Sequence, residues 1–296
     1  MPAITTCFDE QLNIDHEFTA RHVKWLVDHG CTGIVTNGSL GEGGTFTLEE
    51  KIALWHTCVY AVGDRVPIVA AIASMTTSDA IVQSRAAEQA GCTGLMVLPP
   101  YIYRGDWREM KQHIASVAGA TSLSCMLYNN PIAYGTDFLP EQVAELAEEI
   151  PNLDAVKESS TDVRRVTAIK ALCGDRLQIF VGVDDAIVEG IKAGAVGWVA
   201  GLVSAFPRES VDLFNYAMRG EDENARELYE WFLPLLRLDT VPKFVQLIKL
   251  VQEKVDMGNI RVRPPRLELI GTELEETLDI IDHALATRPR AMSHGN

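Results

Sequence analysis

The chain holds 296 residues, 47% of them hydrophobic and 23% charged, enough apolar material for a large core. Its formal net charge of −15 argues against nucleic acid, because phosphate binding needs a basic surface that releases counterions. No apolar run approaches the roughly 20 residues of a membrane-spanning helix; nor does the N-terminus carry a basic flank before an apolar stretch, so a cytoplasmic protein without anchor or secretory signal is expected.

Short β-branched apolar runs alternate with longer amphipathic ones along the chain. The expected strands are Ala3–Thr6, Gly33–Thr36, Pro67–Ile72, Gly94–Leu98, Leu123–Tyr128, Leu153–Lys157, Gln178–Gly182 and Val196–Ala200. The intervening helices are expected at Asp15–His29, Leu48–Val62, Ser78–Ala90, Trp107–Ala118, Pro140–Ile150, Asp162–Leu172, Asp184–Ala193 and Pro207–Met218. Gly30, Gly63, Gly91 and Gly194 follow helices, as C-terminal caps do. The junctions Gly30-Cys-Thr-Gly33, Gly91-Cys-Thr-Gly94 and Gly194-Ala-Val-Gly197 echo one another, consistent with one βα unit used repeatedly. Strict alternation of eight strands and eight helices predicts an α/β fold, a (β/α)8 TIM barrel over residues 1–220. Three further helices, Asp222–Leu238, Val241–Val255 and Glu273–Leu285, follow without a linker. They predict a C-terminal helical appendage over residues 221–296, packed on the barrel as part of the same domain, with Arg288–Asn296 fraying at the end.

In such a barrel the active site lies at the C-terminal ends of the strands. Lys157 ends the sixth expected strand, and burial there favours the neutral amine that attacks a ketone carbon. The bland alternative is a rim lysine paired with Glu158 or Asp184. Tyr128 ends the neighbouring strand and could relay protons at an imine; alternatively its hydroxyl is satisfied by backbone in the core. The turn Gly38–Gly44 offers backbone N–H groups and the Ser39 hydroxyl to a carboxylate, and no nucleotide-binding glycine spacing is present. Asn129, Asn130 and Tyr134 read equally as substrate contacts or loop supports, and Asp184 and Asp185 as caps of the helix that follows them. His16, His22, His29, His56 and His113 fall on helices, away from the strand ends. Cys7, Cys31, Cys58, Cys92, Cys125 and Cys173 form no CxxC pair and have no histidine at ligand spacing, so reduced thiols are expected, with no disulfide and no metal site.

Taken together, Gly38-Ser39-Leu40-Gly41-Glu42, Pro99-Pro100-Tyr101, Leu127-Tyr128-Asn129-Asn130-Pro131, Val156-Lys157-Glu158-Ser159-Ser160 and Gly182-Val183-Asp184-Asp185 resemble the dihydrodipicolinate synthase / N-acetylneuraminate lyase superfamily across essentially the whole chain. The resemblance implies that Lys157 forms an imine with the 2-oxo carbon of a substrate and that Tyr128 shuttles protons there. It further implies that Ser39, with the Ser39 and Leu40 N–H groups, holds a carboxylate. Gly38, Asn130, Gly182, Val183 and Gly201 complete the expected substrate-binding set. It implies no metal or organic cofactor beyond the covalent imine, and a homotetramer built as a dimer of dimers.

The same resemblance exposes departures. Synthases of this group carry two hydroxyl residues in succession in the turn, the second linking to a tyrosine from the neighbouring subunit; here the second position is Leu40, and Ile102, flanked by Tyr101 and Tyr103, stands where that tyrosine would be. They also carry an arginine shortly after the Tyr-Asn-x-Pro segment, where this chain has Ile132-Ala133-Tyr134. The pattern is similar to the branch that converts 1-pyrroline-4-hydroxy-2-carboxylate to 2,5-dioxopentanoate and ammonia, which is the expected reaction. The alternatives are an aldolase or dehydratase of a 2-keto-3-deoxy sugar acid, and a catalytically silent barrel that binds a 2-oxo acid.

Overall fold

A computed structural model describes residues 1–289; residues 290–296, which hold most of the segment expected to fray, lie outside the described residues. Seven parallel strands form one sheet in sequential order: β1 (Ile34–Thr36), β2 (Ile68–Ile72), β3 (Gly94–Val97), β4 (Ser124–Asn129), β5 (Leu153–Glu158), β6 (Gln178–Val181) and β7 (Gly197–Trp198). Parallel neighbours need crossover connections, and the amphipathic runs supply them. These are α1 (His16–Asp28), α2 (Leu48–Val62), α3 (Thr77–Gln89), α4 (Trp107–Ala118), a one-turn α5 (Pro131–Tyr134), α6 (Pro140–Glu149), α7 (Arg164–Cys173), α8 (Ile187–Lys192) and α9 (Pro207–Arg219). The result is a barrel-like α/β fold.

The expected strand at Ala3–Thr6 differs. The N-terminal segment makes only single-residue parallel bridges, Pro2 with Ala200 beyond β7 and Ala3 with Val35 of β1. The Ala3 N–H donates to Ala200 O and the Val35 N–H to Pro2 O, each at 2.8 Å. The segment therefore lies between the two edge strands and covers both, while Pro2, lacking an N–H, cannot extend the ladder. On the last strand only Gly197–Trp198 of the expected Val196–Ala200 is regular.

Alternation along the strands sorts the core into two layers. Val35, Val69, Ala71, Met96, Met126, Tyr128 and Ala155 make one cluster inside the curled sheet. Ile34, Ile68, Ile72, Leu95, Leu127 and Val156, from the opposite parity, join the larger cluster beneath the helices. Capping boxes at Thr47/Glu50 and Asp106/Glu109 start α2 and α4. Gly91 and Gly194 take φ of 90° and 112° where the chain turns out of α3 and α8 toward the next strand.

Beyond α9 the chain continues as α10 (Asp222–Leu236), α11 (Phe244–Lys254) and α12 (Gly271–Ala286). Phe232, Leu235, Ile248 and Ile281 from these helices belong to the same buried cluster as Leu26 and Leu54. A 3-10 turn at Arg237–Asp239 joins α10 to α11. Among the described residues no helix is long and apolar enough to cross a membrane.

Candidate active site

Strand parity places the central pair. Lys157 shares the inward parity of Ala155 on β5, and it stands in register with Tyr128 on β4. The Lys157 Nζ lies 4.3 Å from the centroid of the Tyr128 ring. Burial pulls the ammonium down to about 8 from its ordinary 10.5, opposed by the neighbouring carboxyl pair of Asp239 and Asp184. The rim-lysine alternative does not fit this geometry, since Lys157 enters no ion pair among the described residues. Glu158 points to the other face, where its carboxylate accepts from Asn129 Nδ2 at 3.0 Å and from the Ser160 N–H at 2.6 Å.

Asp184 is fully buried and is saturated by donors: Trp198 Nε1 at 3.0 Å, the Gly201 N–H at 3.1 Å and the Leu202 N–H at 2.8 Å. The expectation that Asp184 and Asp185 cap the following helix is corrected here. Asp184–Ala186 is a 3-10 turn with no side-chain cap, and Asp184 instead ties β6 to the turn after β7. Burial pushes its carboxyl up to about 6 against the pull of those hydrogen bonds.

Polar groups converge on the Tyr128 phenol. Asn130 Nδ2 donates to it at 3.0 Å while Asn130 Oδ1 accepts from the Ala133 N–H, so Asn130 both caps α5 and touches the phenol. Asn129 supports the loop, bonding Phe138 through both its amide atoms in addition to the Glu158 carboxylate. The buried Ser159 hydroxyl has no hydrogen bond among the described residues, yet it sits near enough to ease ionisation of the phenol, as does Ser39. Burial nevertheless pushes Tyr128 up to about 12. Tyr134 shares a hydrogen bond with Ser39 and sets its ring edge-on to Tyr128, centroids 5.8 Å apart.

The glycine-rich turn forms the opposite wall. Its Ser39 and Leu40 N–H groups donate to no carbonyl among the described residues. Glu42 adopts a left-handed φ of 57° and sends its carboxylate into the interior, where Lys249 Nζ donates at 2.5 Å and the Arg263 N–H at 3.0 Å. Both Glu42 and Lys249 are about 1% exposed, so α11 pins the turn from beneath. A side chain on Gly43 would overlap the Asn37 carbonyl, which explains that glycine.

Gly182, Val183 and Gly201 lie at the last strand ends, as expected. A methyl group on Gly182 would sit 2.6 Å from Lys157 Cε and overlap the Ser159 hydroxyl; one on Gly201 would overlap the Asp239 carboxylate. Gly38 faces Met96 and Ala71 across open van der Waals distance, lining the inner wall. Two residues escaped the sequence reading. Asp239 comes from the helical appendage, and Arg104, from the loop before α4, lays its guanidinium against Gly135 beside the segment that itself carries no cation. Among the described residues no group of three or more His, Cys, Asp or Glu side chains is placed to hold a metal ion. A cavity of about 460 Å³ lined by Trp25, His29, Tyr216 and Arg288 lies in the outer helical layer, and none of the strand-end groups borders it.

Comparison with known proteins decides the family. The profile of the dihydrodipicolinate synthetase family matches residues 1–284. The chain belongs to that family. It is 31% identical over 284 residues to the 4-hydroxy-tetrahydrodipicolinate synthase of Caldicellulosiruptor bescii, covering 96% of this chain and 94% of that one. It is 30% identical to the synthase of the same name from Bacillus subtilis, covering 88% and 90%. The crystal structure of a dihydrodipicolinate synthase from Bacillus anthracis superposes with a TM-score of 0.91 at 29% identity, covering 98% and 97%. Members are lyases of the class I aldolase type that work through a lysine–pyruvate Schiff base without a metal cofactor. This chain is a lyase of that Schiff-base class.

Proposed function

We propose that Lys157 is the Schiff-base lysine and that the preferred substrate is 1-pyrroline-4-hydroxy-2-carboxylate, converted to 2,5-dioxopentanoate and ammonia. The observation that carries this reading is the mouth of the site. Leu40, buried, occupies the position of the synthases' second hydroxyl, and Tyr134 from the same chain takes the Ser39 hydroxyl instead. The position of the inter-subunit tyrosine is an exposed Ile102. That wall suits a compact ring better than two condensing substrates.

The chemistry follows from the placement. The substrate carboxylate sits on the Ser39 and Leu40 N–H groups, which brings C2 to the Lys157 amine, whose neutral form burial favours. Attack at C2 and rupture of the C2–N bond open the ring, leaving an imine on Lys157 and an amine on C5. Tyr128, with Asn130 and Ser159 around its hydroxyl, moves the protons of these steps. Loss of the C3 proton gives an enamine that expels the C4 hydroxyl as water. Isomerisation toward C5 and two hydrolyses then release ammonia and free Lys157, for a net consumption of one water. Gly38, Gly182, Val183 and Gly201 shape the space, and self-association as a dimer of dimers belongs to the same reading.

A second reading has its own observation. Arg104 stands exposed at the rim against Gly135, close to where the synthases place a cation, and the relatives above are named as synthases. An assay of freshly generated 1-pyrroline-4-hydroxy-2-carboxylate, run beside the synthase reaction and a 2-keto-3-deoxy sugar acid, separates them. Ammonia release at a kcat/KM at least about tenfold above any other activity supports the proposal; synthase turnover or pyruvate plus an aldehyde as the dominant product contradicts it.

A further inference from the structure

Two carboxyl groups, Asp239 and Asp184, act electrostatically on the Lys157 amine, and they are equipped differently. Asp184 receives hydrogen bonds from Trp198, Gly201 and Leu202. Asp239, half-buried in the turn between α10 and α11, has its carboxylate against the bare Cα of Gly201, yet receives no hydrogen bond and forms no ion pair among the described residues. The N–H of Gly201, the residue it packs against, is already committed to Asp184. One amine cannot balance two neighbouring carboxylates, so the pair holds a proton, and it rests on the member that lacks donors. Burial and the charge of Asp184 hold the Asp239 carboxyl well above the usual carboxylate range. A protonated carboxyl is a hydrogen-bond donor, and Asp239 has no hydrogen-bond partner among the described residues.

We propose that Asp239 is the acid that protonates the departing C4 hydroxyl, which makes the site one for substrates bearing a hydroxyl two carbons from the imine carbon. The inference rests on the dehydration step of the proposed function. The enamine electron pair forms the C3–C4 double bond as the C4–O bond breaks, the Asp239 proton goes to that oxygen, and water leaves. Asp239 remains as carboxylate until solvent reprotonates it. Tyr128, in register with Lys157 on β4, and Asp239, against Gly201 beyond β7, thus divide the work, with proton transfer at the imine assigned to one and leaving-group departure to the other.

The test uses the full chain carrying Asp239→Asn or Asp239→Ala and three readouts. The first is borohydride trapping of pyruvate on Lys157; the second is product release from the 4-hydroxy cyclic imine; the third is turnover of the same ring with chlorine in place of the hydroxyl, since chloride departs unprotonated. The proposal expects trapping within about twofold of the parent, hydroxyl substrate turnover down by about 100-fold or more, and chloro substrate turnover near the parent. Equal losses on both leaving groups, an unchanged rate on the hydroxyl substrate, or loss of trapping in both variants would overturn it. Should the parent leave the cyclic imine untouched, the proposed substrate is wrong, and the comparison moves to an open-chain 4-hydroxy-2-oxo acid. Failure of the parent to dehydrate that as well removes the role assigned to Asp239.

Discussion

The Tyr134 hydroxyl, from the one-turn helix after β4, is hydrogen-bonded to the Ser39 hydroxyl in the turn after β1. It joins the two loops that frame the imine position and fixes the serine that faces the Tyr128 phenol. Tyr134→Phe removes one hydrogen bond without opening the core, so kcat/KM should fall about tenfold, the equivalent of roughly 1–1.5 kcal/mol. The melting temperature should move little. An unchanged kcat/KM would mean that the link has no part in the chemistry.

The pH dependence of imine formation follows from the buried amine. With Lys157 drawn down to about 8, its neutral fraction grows about tenfold per unit up to that pH and then levels off. Borohydride trapping of pyruvate should trace that curve, and a midpoint near 10.5 would show an unperturbed lysine. Stability carries the same sign. The unfolded chain, with its lysine at the ordinary value, binds more protons between about 8 and 10.5, so burial of this amine penalises the fold most below pH 8 and the penalty fades as pH rises through that window. Lys157→Met should therefore gain its largest stability advantage, in urea midpoint, below pH 8.

Gly182 tests how tightly the amine is placed. An alanine there must displace Lys157 or Ser159, because its methyl would lie 2.6 Å from Lys157 Cε. Gly182→Ala should lower kcat by about 100-fold, the scale of a misplacement near 1 Å, while costing about 1–3 kcal/mol of stability. Retention of full activity would show that the amine is free to move.

The Glu42–Lys249 pair carries the turn and not the chemistry. Removing one member strands the other in the interior, so Lys249→Met should cost about 3–5 kcal/mol in denaturant unfolding. A loss below about 1 kcal/mol would place the pair in the class of exposed salt bridges, which the burial contradicts.

The alternation of buried strands and amphipathic helices was readable because each element satisfies its own period; β4 and β5 end at Asn129 and Glu158, one residue past the expected Tyr128 and Lys157. The N-terminal strip was harder, since its pairing depends on two distant edges and Pro2 withholds a donor. At the site, Lys157, Tyr128 and Ser39 announce themselves by lying at strand ends. Asp239 does not, because it arrives from a break between two helices, where Leu238-Asp239-Thr240 resembles any solvent-facing turn. Arg104 likewise reaches Gly135 only through folding, and the sequence around Gly135 shows no cation to betray it. The role of Asp184 is hidden for a related reason: a helix-start aspartate looks like a cap, and only the packing of β7 against β6 reveals its donors.

Peptide mapping after borohydride reduction in the presence of pyruvate tests the account most directly. A single stable adduct on Lys157, lost in Lys157→Ala, is the predicted result. An adduct on another lysine, or none at saturating pyruvate between pH 7 and about 8, would contradict it.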